Sequence, residues 1–385
     1  MGQVKSSQQI PTCDYQYIDT TQALIEFARK AQDAQTIAVD IEGDSMYHYQ
    51  EKVCLIQMEA NGQTVVIDPL KISDMSPIKP LLENPEIEKV LHGADYDIRS
   101  MYRDFGICIS NLFDTQLASM YMGWTETSLE AVVGRHFGVE LDKKYQKKNW
   151  SRRPLPEKMV AYAASDVVYL IPLSRYLSQE LKKRDRLEWV AEECRLLSGV
   201  RPPKNNDGPL FIKFKGAGRL EPRQLGTLEA LLQMRNAIAR QKDRPLFKII
   251  GNMALKKIAI SPPADLKRLK AGKTLSDKQF EMYGKAVMEA VRNARQIPAA
   301  QLPKYPRRRS ARVPRHVPAR VNVLRTWRDQ TAKRFGLDSA LLLNRSLIKA
   351  IAVENPDTID KLTKVEGIHN WQVDAFGEEI LKALK

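Results

Sequence analysis

Residues 36–44 read Thr-Ile-Ala-Val-Asp-Ile-Glu-Gly-Asp, and this stretch decides how the first half of the chain is built. Successive side chains on a strand point to opposite faces, so Ile37, Val39 and Ile41 share one face and Asp40 and Glu42 the other. Outward from here, Lys52 to Met58 (KVCLIQM) is a second apolar run. Asn61-Gly62 predicts a two-residue hairpin turn into Gln63 to Ile67. Glu88 to Leu91 predicts a buried strand. A helix is expected from Asp95, because Ile98, Met101, Tyr102 and Phe105 fall on one helical face. Asp95 is its expected N-cap. Another helix is expected near Asp114, and one long helix from Pro156 to Lys183, with Pro156 in its first turn. A hairpin followed by strand–helix units predicts an α/β domain, a mixed sheet covered by helices.

The second half has almost no strand signal and repeats itself at an offset of 93 residues. Arg235 pairs with Arg328, Ala239 with Ala332, Pro263 with Pro356, Leu269 with Leu362, Gly284 with Gly377 and Ala290 with Ala383. We read domains at 1–200, 210–295 and 320–385, joined by a linker at 296–319 that holds five prolines, six Lys/Arg and no acidic residue. Prolines favour extended chain, so the linker is expected to be stiff. It serves either as a spacer or, through RRRSARVPR, as a phosphate contact.

The 385 residues carry a formal net charge of +15, divided unevenly: −6 over residues 1–200 and +21 over 201–385. An acidic half joined to a basic half suggests chemistry in one and polyanion binding in the other. No run of about 18 apolar residues occurs, so no membrane helix is expected. The N-terminus lacks the apolar core of a secretory signal, and Gly2 with Ser6 only loosely fits an acylation pattern. Cys13, Cys54, Cys108 and Cys194 form no CxxC pair, so neither a zinc site nor a disulfide framework is expected, and a cytoplasmic location fits.

Four acidic residues stand out. Asp40 and Glu42 on one strand face repel each other unless a cation lies between them. Asp97 falls in the first turn of a helix, where it either serves the site or favours the helix dipole. Asp166 lies four residues after Tyr162, which stacks both on one helical face. Three Asp and one Glu offer hard oxygen ligands suited to magnesium or manganese. Two such cations can hold an attacking hydroxide and stabilise the leaving oxygen of a phosphodiester.

Asp40-Ile41-Glu42, the segment HGADYD ending at Asp97, and Tyr162-Ala-Ala-Ser-Asp166 resemble the three motifs of the DEDD exonuclease superfamily, in its tyrosine-bearing subgroup. The similarity covers about residues 14–190, and the two C-terminal repeats resemble HRDC domains. In its whole order the chain resembles the ribonuclease D family. The resemblance implies a ribonuclease H-like mixed sheet with flanking helices, followed by two small all-α HRDC domains. It implies a metal-dependent 3′-to-5′ exoribonuclease that matures tRNA and other small structured RNAs, acts distributively and releases 5′-monophosphates. Asp40, Glu42, Asp97 and Asp166 would bind two divalent cations, Mg²⁺ or Mn²⁺, and Tyr162 would orient the attacking water. The expected partners are RNA 3′ ends and secondarily single-stranded DNA, with no membrane, for a monomeric protein. The alternatives are a 3′-5′ DNA exonuclease of the same superfamily or a non-catalytic RNA-binding scaffold. The family often places an aromatic after the Glu of the first motif. Here Gly43 stands there, which leaves Tyr47, His48 or Tyr49 to compensate.

Among other candidates, Asp114 is read as a helix N-cap before a supporting role, and His92 as a structural hydrogen-bonding group. Lys143, Lys144, Lys147 and Lys148 form either a solvated face or a track for a substrate backbone, and Trp150 is read as packing. The first repeat balances +12 over 210–295 and the second only +2 over 320–385. The first is therefore the better candidate for phosphate contacts, and the second for packing on the enzyme.

Overall fold

The computed structural model describes residues 14–203, 208–306 and 314–385. The N-terminal acylation pattern and most of the linker run RRRSARVPR lie outside them. The described residues form two compact units. One comprises those of Met1–Gly43, Val53–Pro202 and Arg312–Lys385, the other those of Asp44–Lys52 and Pro203–Ala311.

The first unit is built on a sheet of six strands: β1 (Tyr15–Ile18), β2 (Thr36–Gly43), β3 (Val53–Ala60), β4 (Gln63–Ile67), β5 (Glu88–Leu91) and β6 (Leu112–Asp114). Their spatial order is β1-β4-β3-β2-β5-β6. The β2–β3 and β3–β4 pairs are antiparallel and the other three parallel. Asn61 and Gly62 both adopt positive φ (52° and 80°), which makes the expected hairpin turn between β3 and β4. Ile37, Val39 and Ile41 are buried, and Ile56, Met58, Val65 and Ile67 pack in the same core. Each such side chain contributes about 1.5–3 kcal/mol by leaving water. The pairing of β2 with β3 slips between Glu42 and Gly43, a bulge that bends the strand away where the carboxylates end.

Helices cover the sheet: α1 (Thr21–Ala31), α2 (Asp95–Phe105), α3 (Thr115–Tyr121), α4 (Leu129–Phe137), α5 (Glu157–Val168), α6 (Leu170–Lys182) and α7 (Leu187–Ser198). Two expectations need correction. The long helix from Pro156 to Lys183 is two helices with a break at Tyr169. Pro172 has no N–H to donate to Val168, so the ladder cannot run through. Asp95 is not the N-cap of α2: Ala94 holds that position, and Asp95 pairs with Arg99 one turn on at 2.8 Å. Cys54, Cys108 and Cys194 form no disulfide, and no described helix is long and apolar enough to cross a membrane.

The second unit is helical, with α8 (Pro222–Gln241), α9 (Asn252–Ile260) and α10 (Asp277–Arg295) around Leu228, Leu231, Ile258 and Val287. The short helical turn Leu246–Ile249 joins α8 to α9. Asp44–Lys52, the loop between β2 and β3, belongs to this unit. Asp243 accepts from the Tyr49 backbone N–H at 3.0 Å and meets His48 Nδ1 at 2.7 Å. The Tyr49 hydroxyl donates to Asn236 Oδ1 at 2.7 Å, and Lys248 Nζ sits 4.2 Å from the Tyr47 ring centroid.

The second repeat brings α11 (Val317–Phe335), α12 (Arg345–Glu354) and α13 (Asn370–Leu384). The 93-residue offset holds in space. Arg235 donates to the Ile250 carbonyl at 3.0 Å, and Arg328 to that of Leu343 at 3.3 Å. A Cβ on Gly284 would press on Phe280 and Leu266, and one on Gly377 would come 2.7 Å from Ile359. Both glycines let a neighbouring short helix approach closely.

This repeat belongs to the first unit and packs against α7. Trp189 stacks on Trp371 with centroids 4.8 Å apart. Glu192 accepts from the backbone N–H groups of Asn370 (2.8 Å) and Trp371 (2.7 Å), so a carboxylate on α7 caps α13. Arg186 donates to the carbonyls of Tyr121 (2.8 Å) and Phe335 (2.7 Å) and so joins the two parts.

Candidate active site

β2 delivers Asp40 and Glu42, both part-buried, on the face opposite Ile37, Val39 and Ile41. β5 runs parallel beside β2 and ends at Leu91. The chain then turns through His92 and Gly93 into α2, which carries Asp97, only 7% exposed. Gly93 takes φ of 71°, and a Cβ there would lie 2.9 Å from Gln116 Oε1, so only glycine fits the turn without strain. α5 carries Tyr162 and Asp166 one turn apart, and packs on β2, β3 and β4.

The four carboxylates from these three elements lie within electrostatic reach of one another. Burial pushes the Asp40 carboxyl up to about 7, a rise only partly offset by the Ile41 backbone N–H. Glu42 is raised well above the usual carboxylate range, first by burial and then by Asp40, Asp166 and Asp97. Asp97 is raised by burial, then by Asp40 and Asp114. Asp166 is raised by burial and by Asp40. No basic side chain among the described residues offsets this charge. The cluster thus gathers four carboxyls whose ionisation is disfavoured until a cation offsets it, with oxygen donors alone. Among the described residues no group of three or more His, Cys, Asp or Glu is arranged to hold a metal ion.

The Tyr162 phenol is raised above its ordinary value by burial, then by Asp166, Glu42 and Asp40. It therefore stays protonated through neutral pH and can only donate to an anionic neighbour. Its ring is wedged by Tyr145 (centroids 5.7 Å apart) and by Trp150 (6.2 Å). Trp150 is buried, as its reading as a packing residue requires.

Asp114 does more than cap α3. It accepts from Gln116 N (2.8 Å) and Leu117 N (3.2 Å), and also from Gly93 N (3.0 Å) and Ala94 N (2.8 Å). One buried carboxylate thus fixes the start of two helices, including the turn that presents Asp97. His92 contacts Thr115 Oγ1 at 2.9 Å, the structural role expected.

Of the basic run, Lys143 pairs with Glu130, and Lys144 lies 5.7 Å from the Tyr145 ring. All four lysines are exposed. Tyr47, His48 and Tyr49, the three residues left to compensate for the missing aromatic, each contact the helical unit.

Tyr145 and Asp142, the latter acting on Tyr162, were not singled out from sequence. The signal was there in the one aromatic, Tyr145, set within Lys143–Lys148. The supporting network of Arg153 was equally hidden: its guanidinium binds both Asp68 oxygens at 2.6 Å and the Cys54 carbonyl at 2.8 Å, bracing β3 and β4.

Residues 15–182 match the family model described as 3'-5' exonuclease, and residues 224–291 and 318–384 each match the HRDC domain model. Ribonuclease D of Escherichia coli (strain K12) is 30% identical over 292 residues, spanning 76% of this chain and 78% of that protein. Ribonuclease D of Granulibacter bethesdensis is 30% identical over 352 residues, spanning 91% and 87%. The crystal structure of Escherichia coli RNase D, an exoribonuclease involved in structured RNA processing, aligns with a TM-score of 0.71 at 27% identity. That alignment covers 96% of this chain and 98% of that one.

Proposed function

The chain belongs to the ribonuclease D family, and from that premise we propose that it is a 3′-to-5′ exoribonuclease whose chemistry is carried by Asp40, Glu42, Asp97 and Asp166 with Tyr162 beside them. The observation that carries this reading is the convergence of four carboxylates from three elements, each raised above its usual range and none balanced by a basic side chain among the described residues. An all-oxygen set of carboxyl donors suits hard divalent cations, and we assign it two, Mg²⁺ or Mn²⁺. When bound, such cations would neutralise charge on the phosphodiester and acidify a water.

The chain's own groups do the rest. Asp40, Glu42, Asp97 and Asp166 would hold the cations. Tyr162, protonated at neutral pH, donates a hydrogen bond that orients the attacking water. Trp150 and Tyr145 fix the angle of its ring. Asp114 holds the turn before Asp97, so that its carboxylate does not have to be ordered during the reaction.

The substrates proposed are 3′ ends of tRNA precursors and other small structured RNAs, and the products 5′-monophosphates. The protein is expected to act as a monomer in the cytoplasm. The deciding assay incubates it with 3′-hydroxyl RNA and matched single-stranded DNA, with Mg²⁺, Mn²⁺ or EDTA. Stepwise loss of 3′ nucleotides from RNA, abolished by EDTA, is the expected result. Loss that ignores the chelator would overturn the metal assignment, and a preference for DNA would overturn the substrate class.

A further inference from the structure

Gln57, near the middle of β3, is fully buried. Neither its side-chain nitrogen nor its side-chain oxygen has a hydrogen-bond partner among the described residues. A buried amide left unpaired costs stability that an apolar side chain of the same length would not. Packing alone therefore gives no reason for an amide at this position.

The strand register says what the amide faces. Gln57 stands directly opposite Asp40 on β2 and Val66 on β4. Directly opposite residues of antiparallel strands share a face, with Cβ atoms roughly 4.5–5.5 Å apart. That face is the one that bears Asp40 and Glu42. It is covered by α5, the helix of Tyr162 and Asp166, whose Val160, Ala163 and Ala164 pack with Leu55 and Val66. Among the neighbours of Gln57 on this face, Ala38, Leu55 and Val66 are buried and apolar. Glu59, two residues further along β3, is already engaged by the Gly62 N–H at 3.1 Å. By register, Asp40 is the carboxylate nearest to the unpaired amide.

An amide beside a carboxylate can donate to it once the carboxylate is ionised. Carboxylates that hold metal ions are themselves held by such hydrogen bonds. A ligand oriented in advance does not have to be ordered at each turnover. Gln57 suits that task because it cannot swing away. β3 lies between β4 and β2 in the sheet, and α5 closes the face above it.

We propose that Gln57 is a positioning residue for Asp40: in the cation-loaded site its side-chain N–H donates to the Asp40 carboxylate and holds it in one orientation. This rests on the reading of Asp40 as a cation ligand, and the test separates the two.

The full chain, free of RNA, is titrated with Mn²⁺ while electron paramagnetic resonance counts the free ion. Gln57→Met keeps the length of the side chain and loses the amide. It should weaken Mn²⁺ binding about 10- to 100-fold, the usual effect of removing a group that holds a ligating side chain. Its melting temperature in EDTA should equal or exceed that of wild type, because no unpaired amide is left in the core. Gln57→Leu should behave alike. Half-maximal RNA cleavage should need correspondingly more Mn²⁺ in both variants, with RNA affinity in EDTA unchanged. Asp40→Asn is the reference. Its penalty and that of Gln57→Met should fail to add in the double variant, since the amide acts through Asp40.

Mn²⁺ binding equal to wild type in Gln57→Met would overturn the proposal, as would penalties that add. A lower melting temperature in EDTA with unaltered Mn²⁺ binding would reduce Gln57 to a packing residue. Mn²⁺ binding equal to wild type in Asp40→Asn would instead refute the reading of Asp40 as a ligand, and the role of Gln57 would fall with it.

Discussion

Asp114 offers the sharpest test of how the site is held. Were it only a helix cap, Asn would replace it at almost no cost, because Asn and Asp are equally good caps. The structure says otherwise, since its two oxygens are divided. Oδ1 accepts from Gly93, Gln116 and Leu117, while Oδ2 alone serves the Ala94 N–H at 2.8 Å in a buried position. In Asp114→Asn an amide –NH₂ faces that N–H, donor against donor. The loss is one charge-assisted bond and one buried donor left unpaired, about 1.5–3 kcal/mol. Asp114→Ala forfeits the cap as well, for a total of about 3–5 kcal/mol. Urea unfolding followed by tryptophan fluorescence reads both values, provided the slope m is unchanged. The turn Gly93–Ala94 presents Asp97, and small misplacements are costly in catalysis. The Asn variant should therefore also lose about 10- to 100-fold in kcat. An Asn variant within about 0.5 kcal/mol of wild type would refute the reasoning and reduce Asp114 to a cap.

Asp40→Asn and Asp166→Asn should each abolish hydrolysis while leaving RNA affinity within about twofold, as measured by anisotropy in EDTA; retained cleavage in either would remove that residue from the ligand set. Trp371→Ala deletes a buried ring stacked on Trp189 and an N–H bound to Glu193 at 2.8 Å, and should cost about 3–5 kcal/mol in urea unfolding; a cost below about 1 kcal/mol would mean the second repeat is not held there. Lys89 is fully buried, donates to the Ile87 carbonyl at 2.6 Å and to that of Asn84, and is pushed down by burial from 10.5 to about 8. The unfolded chain then binds more protons between those values, so stability should rise as pH increases from 8 to 10.5. Measured against Lys89→Met, which has nothing to titrate, wild type should gain across that window, and a flat difference would contradict the shift.

The carboxylate pattern was legible because the chemistry demands particular residue types at fixed local spacing. The Asn61-Gly62 turn, β5 and the helix at Asp95 were legible for a similar reason: period and turn residues are local signals. The four-residue β1 and three-residue β6 were not, since neither is long enough to show an alternation. The break at Tyr169 was legible in principle from Pro172, but the apolar period continues across it and hid the lost hydrogen bond. Asp114 could be read as a cap but not as the acceptor for Gly93 and Ala94, which lie 20 or more residues away in sequence. Nothing local marks Asp44–Lys52 as part of the helical unit either. Those contacts join residues more than 185 positions apart, and only the folded chain brings them together. The repeat was visible as paired identities. Its two copies differ in what they pack against, and that follows from one aromatic-rich face, Trp327, Phe335, Trp371 and Phe376, which the first copy lacks.

The order in which the chain is made has a bearing on that face. The partners of Trp189 and Tyr121 are Phe335, Trp371 and Phe376, all near the C-terminus. At about 5–20 residues per second, a ribosome that has finished residue 202 needs roughly 10 to 40 s more to reach residue 385. During that interval the sheet and its helices can already fold, with an uncovered aromatic surface on α7. The second repeat is the piece that ends this exposure, and a nonsense mutation anywhere in residues 210–370 would leave it permanent. Truncated chains should therefore be found in aggregates or in complex with chaperones, even though every carboxylate of the candidate site is present in them.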